Sequence, residues 1–296
     1  MRRPRPLTAT AGGLLAATLA WPFVEPLLPV LRRVRVPVLE PGARPLTVLH
    51  LSDLHLLAHH GRRAAFVRDL VRLRPDLVVS TGDHLSSPAA VPLLLDTLAA
   101  LTADGTPGVF VPGNNDYSAP TVPRPWDYVG SEPPRPARGP RLPWDEIAAA
   151  LGARGWTDLT HVRTVVELDG TAVTLTGTDD AQLRRDRYGL VAGPVDGLAL
   201  GVTHTPQRRL LRAFADDGHA LVLAGHTHGG QLRLPGLGPV LTNCDLERAR
   251  ARGLHRLVAG GPGWLHVSAG LGTSPFLPVR VCCRPEVTLL ELAERT

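Results

Sequence analysis

Four short segments concentrate metal-binding side chains in this chain, and each follows a run that reads as a buried β-strand. Asp53-Leu54-His55 follows Leu46 to Leu51, and Gly82-Asp83 follows Asp76 to Thr81. Gly113-Asn114-Asn115-Asp116 follows Gly108 to Val111. Gly225-His226-Thr227-His228-Gly229-Gly230 follows His219 to Ala224, and a fifth run, Leu198 to Thr203, delivers His204. Open α/β sheets gather ligands at the carboxyl ends of their strands. Carboxylates and imidazoles converging there build a metal site, and this supply is enough for two ions.

The rest of the chain supports that architecture. Arg62 to Leu73 places Ala65, Phe66, Leu70 and Leu73 at helical spacing, with Pro75 as a stop. Val91 to Leu101 and Pro206 to Phe214 read as further helices, with Pro206 in a first turn. Trp144 to Leu151 is another. Val162 to Leu168 and Thr171 to Thr176 flank Asp169-Gly170, a strong hairpin signal. Later strands are expected at Trp264 to Ser268, Val279 to Cys283 and Val287 to Leu292. Strands alternating with helices indicate an α/β class, and hairpins require some antiparallel pairing. The expected fold is two packed mixed β-sheets flanked by helices, a four-layer αββα sandwich.

At 296 residues the chain could form one large domain or two small ones. Lysine is absent, which codon bias in a GC-rich genome explains. The net charge of +5 suits an anionic partner such as phosphate or a membrane surface. No arginine-rich run is interleaved with aromatics, so nucleic acid is not specifically indicated. Three cysteines make no disulfide framework. Cys282 and Cys283 read as strand neighbours on opposite faces.

Arg2, Arg3 and Arg5 precede an apolar stretch from Ala11 to Val24, and Arg32, Arg33 and Arg35 follow it. A spanning helix needs about 20 apolar residues, so this length suits a signal-peptide core or signal anchor. An amphipathic helix on the domain surface is the alternative. Residues 1–44 are read as a membrane-associated segment and linker, with the folded domain from Pro45 to Thr296. Arginines on both sides leave the orientation open. Within the domain, Ser118 to Pro143 is rich in proline and arginine, carries Trp126 and Tyr128, and leaves directly from the third motif. It is either a substrate-facing lid or a passive surface loop.

The motif set resembles the calcineurin-like metallophosphoesterase superfamily, whose pattern runs Asp-x-His, Gly-Asp, Gly-Asn-His-(Asp/Glu), a lone His, then Gly-His-x-His. The flanking residues Leu51-Ser52-Asp53-Leu54-His55, Pro75 to Asp83 and Gly225 to Gln231 look like its membrane-associated bacterial branch. The resemblance implies that Asp53, His55 and His228 hold one metal. It implies that Asn114, His204 and His226 hold a second, with Asp83 bridging. A hydroxide between two such ions is reactive at neutral pH and attacks phosphorus in line. Mixed oxygen and nitrogen ligands suit Mn, Fe or Zn. The implied activity is hydrolysis of a phosphodiester or pyrophosphate bond, with a lipid-linked substrate suggested by the N-terminus. A soluble-type nucleotide phosphodiesterase and a non-catalytic metal-binding scaffold are the alternatives.

One position departs from the pattern. The family's third motif carries His after Asn, where it assists the leaving oxygen, and here that residue is Asn115. Asparagine donates a hydrogen bond but delivers no proton near neutral pH. Asn115 and Asp116 are therefore the catalytic candidates in this motif. Either the leaving group is acidic, or His84, Asp116 or a loop residue substitutes, or turnover is lost. Asp179-Asp180, ending another strand, either contacts the site or forms a polar turn.

Overall fold

A computed structural model describes residues 18–122, 139–273 and 276–295. Residues 1–17 and most of the Pro/Arg-rich segment, including Trp126 and Tyr128, lie outside the described residues. The first strands are β1 (Val30–Leu39), β2 (Leu46–Leu51), β3 (Leu77–Ser80), β4 (Gly108–Phe110) and β5 (Trp156–Asp158). Next come β6 (Arg163–Leu168), β7 (Thr171–Gly177), β8 (Leu198–Val202) and β9 (Leu221–Ala224). A short hairpin, β10 (Arg233–Leu234) and β11 (Gly238–Pro239), precedes β12 (Gly253–Arg256), β13 (Trp264–Val267) and β14 (Glu286–Glu294). The helices are α1 (Gly61–Arg68), α2 (Val91–Thr102), α3 (Asn114–Tyr117), α4 (Trp144–Gly152) and α5 (Arg208–Asp216).

Two six-stranded sheets result, ordered β1-β14-β2-β3-β4-β5 and β12-β13-β9-β8-β7-β6. In the first, β2 to β5 run parallel and β14 is antiparallel to β2. In the second, β7, β8, β9 and β13 run parallel, with antiparallel β6 and β12 at the edges. The two-residue alternation of a strand divides each central strand between two cores. On β2, Leu46 and Val48 join the core between the sheets, whereas Leu49 and Leu51 pack with Val67, Leu94, Leu98 and Ile147 of the helices. On β9, Leu221 and Leu223 face inward, whereas Val222 and Ala224 meet Leu210 and Phe214 of α5. Three cores stacked in this way make the expected four layers. The β6–β7 hairpin turns through Asp169 and Gly170, both at positive φ, as its dipeptide requires.

The structure moves three boundaries. The sheet begins at Val30, not near Pro45, because β1 pairs in parallel with β14 from Val30↔Glu286 to Leu39↔Glu294. The arginines read as a membrane flank are edge-strand residues, with Arg32 paired to Glu286 and Arg33 to Glu291. Charges and a proline are common on edge strands. Pro206 lies outside α5, whose N-cap is Gln207. Residues 279–283 form no strand. Val281 makes a single bridge to Leu232, and Cys282 turns at positive φ.

Residues 18–24 are helical and run into a 3-10 turn at Glu25–Leu27. The buried Glu25 carboxylate accepts from Cys282 N and from Trp21 Nε1, at 2.9 and 2.8 Å. Cys283 N also donates to it. The N-terminal segment is thereby fixed to the turn that precedes β14. Among the described residues no helix is long and apolar enough to cross a membrane.

Candidate dimetal centre

The loops leaving β2, β3, β8 and β9 meet beside the helix that follows β4. Asp53, His55, Asp83 and His204 are all buried, and His226 is nearly so. Their donor atoms form a continuous chain. His228 Nε2 lies 3.2 Å from His55 Nε2, and His55 Nε2 lies 3.4 Å from Asp83 Oδ2. The same Asp83 oxygen lies 3.5 Å from His204 Nε2, which is 3.3 Å from His226 Nδ1. Asp53 Oδ1 closes the first cluster, 3.5 Å from His228 Nε2. Asp83 thus sits between two groups of imidazoles, where a bridging carboxylate belongs.

These spacings fit metal ions. Two nitrogens bound at about 2.0–2.1 Å around a tetrahedral ion lie about 3.3 Å apart. The outer nitrogen of each imidazole is already committed. Nδ1–H of His204 donates to Thr81 O at 2.7 Å, and Nδ1–H of His228 to Gly272 O at 3.2 Å. His226 Nε2–H donates to Asn243 O at 3.1 Å, and His55 Nδ1 pairs with Ser86 Oγ at 3.1 Å. Such partners fix the tautomer and aim the other lone pair inward, as around bound metals. Asn114 Oδ1 is buried without a hydrogen-bond partner. A buried orphan acceptor is costly, and a cation in front of it would remove that cost. The residues present therefore fit two ions.

Burial pushes the Asp83 carboxyl up, but the His204 charge and hydrogen bonds outweigh it and hold Asp83 well below the carboxylate range. Burial opposes the charge on His204, yet Asp83 beside it outweighs burial and raises that imidazole well above its usual range, so a proton and a cation compete for the same Nε2. Burial lowers His55 and His228, and lowers His226 to about 4. Those three rings are neutral at pH 7 and hold free lone pairs.

The backbone is strained at these positions. Asp53, His55, Asp83, His226 and His228 are five of the eleven non-glycine residues at positive φ among the described residues. Each such conformation costs about 1–3 kcal/mol and persists only where its surroundings enforce it. The glycines beside the ligands let the loops approach that closely. A Cβ on Gly82, at φ +93°, would stand 2.5 Å from Gly113 N. Gly82→Ala is expected to cost about 2–4 kcal/mol from combined backbone strain and overpacking. Chemical denaturation would show this as a lower midpoint with an unchanged slope.

Behind the site lie groups that the sequence did not single out, His266 and Arg280 among them, and two that it did, Asp179 and Asp180. Ser52 Oγ donates to Asp53 Oδ2 at 2.5 Å, and Thr81 Oγ1 donates to Ser52 at 2.7 Å. His50 continues the chain from Thr81 to His266, at 3.0 and 2.9 Å. Arg280, fully buried, donates to the carbonyls of Ala269, Gly270, Gly272 and Cys283 at 2.6–3.1 Å. It braces the loop behind Asp53 and His55, where a Cβ on Gly270 or Gly272 would reach the ligands' own Cβ atoms at 2.5 and 2.6 Å. Asp180 accepts from Thr205 Oγ1 at 2.6 Å, directly after His204. Asp179 accepts from Tyr117 and Arg185, both at 2.7 Å.

The two catalytic candidates are placed differently from expectation. Asn115 N and Nδ2 both donate to the Asp83 carboxylate, at 2.8 and 2.6 Å, so Asn115 orients Asp83. Asp116 takes hydrogen bonds from the amides of Asp83, His84 and Gly113 and from His84 Nδ1, at 2.7–2.9 Å. With four donors and no exposure, its carboxylate is a loop clamp and has no lone pair for substrate. His84 Nε2 pairs with Ser80 Oγ at 2.8 Å and its ring stacks on Trp144. Neither Asp116 nor His84 can supply a proton to a leaving group.

The calcineurin-like phosphoesterase family model matches residues 46–230. The chain is 28% identical to Phosphodiesterase YaeI of Escherichia coli (strain K12) over 278 residues, covering 91% of this chain and 90% of that protein. It is 29% identical over 275 residues to a Bos taurus protein named "Transmembrane protein with metallophosphoesterase domain", covering 89% of this chain and 57% of that protein. Among solved structures, TT1561 of Thermus thermophilus aligns with a TM-score of 0.43 and 12% identity, covering 77% of this chain and 91% of that one. With its matched region running from β2 through the His226-Thr227-His228 loop, the chain belongs to the calcineurin-like phosphoesterase family.

Proposed function

We propose that this protein is a dimetal phosphoesterase that cleaves a phosphodiester or pyrophosphate bond with an acidic leaving group, on a lipid-linked substrate. Asp53, His55 and His228 would hold one divalent ion and Asn114, His204 and His226 the other, with Asp83 shared. Mn, Fe or Zn suits these oxygen and nitrogen donors. Two such ions supply water activation at neutral pH and charge neutralisation at phosphorus. The protein's own part is preorganisation. Thr81, Gly272 and Asn243 carbonyls aim three imidazoles, Asn115 fixes Asp83, and Ser52 with the His226 amide fixes Asp53.

The observation that carries the choice of bond is the commitment of the three described side chains of this motif that were candidates to assist the leaving group. Asn115 is engaged with Asp83, Asp116 with three amides and His84 with Asp116 and Ser80. A leaving group that departs as an anion without protonation, such as a phosphate, fits that arrangement. The basic, apolar N-terminus and the relative named as a transmembrane protein support a lipid-linked substrate at a membrane.

Aryl phosphodiesters and pyrophosphates are expected to turn over far faster than alkyl phosphodiesters in parallel assays. A general acid contributes about 10²–10⁴-fold. Asn115→His is therefore expected to raise the ratio of the alkyl to the aryl rate at least about tenfold, even where the lost Asn115–Asp83 hydrogen bond lowers both. Equal wild-type rates on both substrate types would contradict the acidic-leaving-group reading.

A further inference from the structure

Twelve of the sixteen exposed large apolar side chains among the described residues come from three short segments. One is residues 19–28, which include Phe23 and Leu27, another is residues 234–241, which include Leu237, and the third is Phe276 with Leu277. Leu237 is 82% exposed and Leu27 72%. Far apart in sequence, these segments are stitched to one turn. Arg280 N donates to Pro22 O at 2.9 Å, and Gln231 Nε2 donates to Leu277 O at 2.7 Å. Arg233 N donates to Val281 O at 3.0 Å, and a cleft joins Leu234 and Leu237 to Cys282. The three segments therefore lie on one side of the molecule.

That side adjoins the dimetal centre. The same turn reaches the backbone of His228, through Cys283 Sγ to His228 O at 3.3 Å. Arg233 Nη1 donates to Gly229 O at 2.8 Å. His228 is also the most exposed of the histidine ligands, at 13% of its side chain. Arginines are interspersed with the apolar groups: Arg233, Arg248 and Arg284 have no carboxylate partner among the described residues. The helical residues 18–24 join the fold on this side, through Pro22 O to Arg280 N, and Arg2, Arg3 and Arg5 precede them in the sequence.

We propose that this face docks on an anionic lipid bilayer and holds the dimetal centre at headgroup level. Clusters of exposed apolar side chains rimmed by polar groups mark interaction surfaces. Aromatic and leucine side chains interleaved with cations are the composition of interfacial segments, which sink about 5–10 Å into the headgroup boundary. Unpaired guanidinium groups complement anionic lipid. A second copy fits less well, because an isologous contact sets each patch against its twin and opposes like charges. The consequence for substrate, a phosphodiester in the headgroup layer, rests on the phosphoesterase reading above, whereas the docking does not.

The test uses the full chain with an added fluorophore, as Leu237→Trp or Phe276→Trp, beside Val165→Trp at the far edge of the second sheet. Vesicles of equal phosphatidylglycerol and phosphatidylcholine carry brominated acyl chains, and wild-type emission is subtracted. Quenching of the added tryptophan at 237 and 276 but not at 165, with binding at least about tenfold tighter than to pure phosphatidylcholine, is the expected result. Quenching at all three positions or at none would overturn the proposal, as would a stable dimer burying position 237. Turnover of bis(p-nitrophenyl) phosphate by the same samples separates the two readings. Failed docking leaves that turnover intact, and a failed catalytic reading removes it without affecting the quenching.

Discussion

Replacing Asp83 with asparagine is expected to remove phosphodiester turnover and the capacity to hold two ions together. Asp83 Oδ2 lies 3.4 Å from His55 Nε2 and 3.5 Å from His204 Nε2, so one oxygen serves both halves of the centre. An amide has the same shape but half the acceptor capacity and no charge. It would also face two donors from Asn115, the backbone N and Nδ2. Loss of one preorganised electrostatic group costs about 10²–10³-fold in rate. A shared ligand affects both ions, so a fall of at least about 10³-fold is expected. Steady-state hydrolysis of bis(p-nitrophenyl) phosphate, with metal content measured on the same sample, checks both parts. Residual activity within tenfold of the parent would refute a bridging role.

Removing the Asp116 carboxylate is expected to damage the fold more than any other single change considered. Asp116→Ala strips the acceptor from three backbone amides and one imidazole, all within 2.9 Å and fully buried. Each buried donor left unpaired costs about 1–3 kcal/mol, so four of them put the expected loss at about 4 kcal/mol or more. That is a large share of the roughly 5–15 kcal/mol that holds a typical domain together. At about 2–4 °C per kcal/mol for a domain of this size, the midpoint falls by at least about 8 °C. Thermal unfolding of the metal-free protein isolates this effect from metal binding. An unchanged midpoint would mean that Asp116 is not a clamp.

The contrast between these two aspartates shows what the sequence reveals. Asp83 follows a run of four buried residues and a glycine, and its motif has one chemical use that matches its neighbours. Asp116 stands in an equally suggestive motif, but which way its carboxylate points is set by the three amides around it, and amides leave no trace in side-chain identity. The central strands were legible for a similar reason. Leu46 to Leu51 and Leu221 to Ala224 are apolar on both faces because a core lies on each side. β1 was not legible, since Arg32, Arg33, Arg35 and Pro37 are what an edge strand carries and also what a membrane flank carries. Arg280 reads as one more surface arginine. Only the fold shows it buried, with four backbone carbonyls as its partners. The positive φ at five ligands is likewise a product of loops pressed together by Gly82 and Gly225.

The proposed function requires seven side chains from five loops to form one two-ion centre that does chemistry on phosphorus. Its most direct test is a metal titration of the chelator-stripped, folded chain, with bound ions counted by mass spectrometry and bis(p-nitrophenyl) phosphate turnover followed at each point. Two ions per chain are expected, with turnover rising as the second site fills and both lost in Asp83→Asn. A folded chain that binds no more than one ion, or that fills both sites and cleaves no phosphoester, would contradict it.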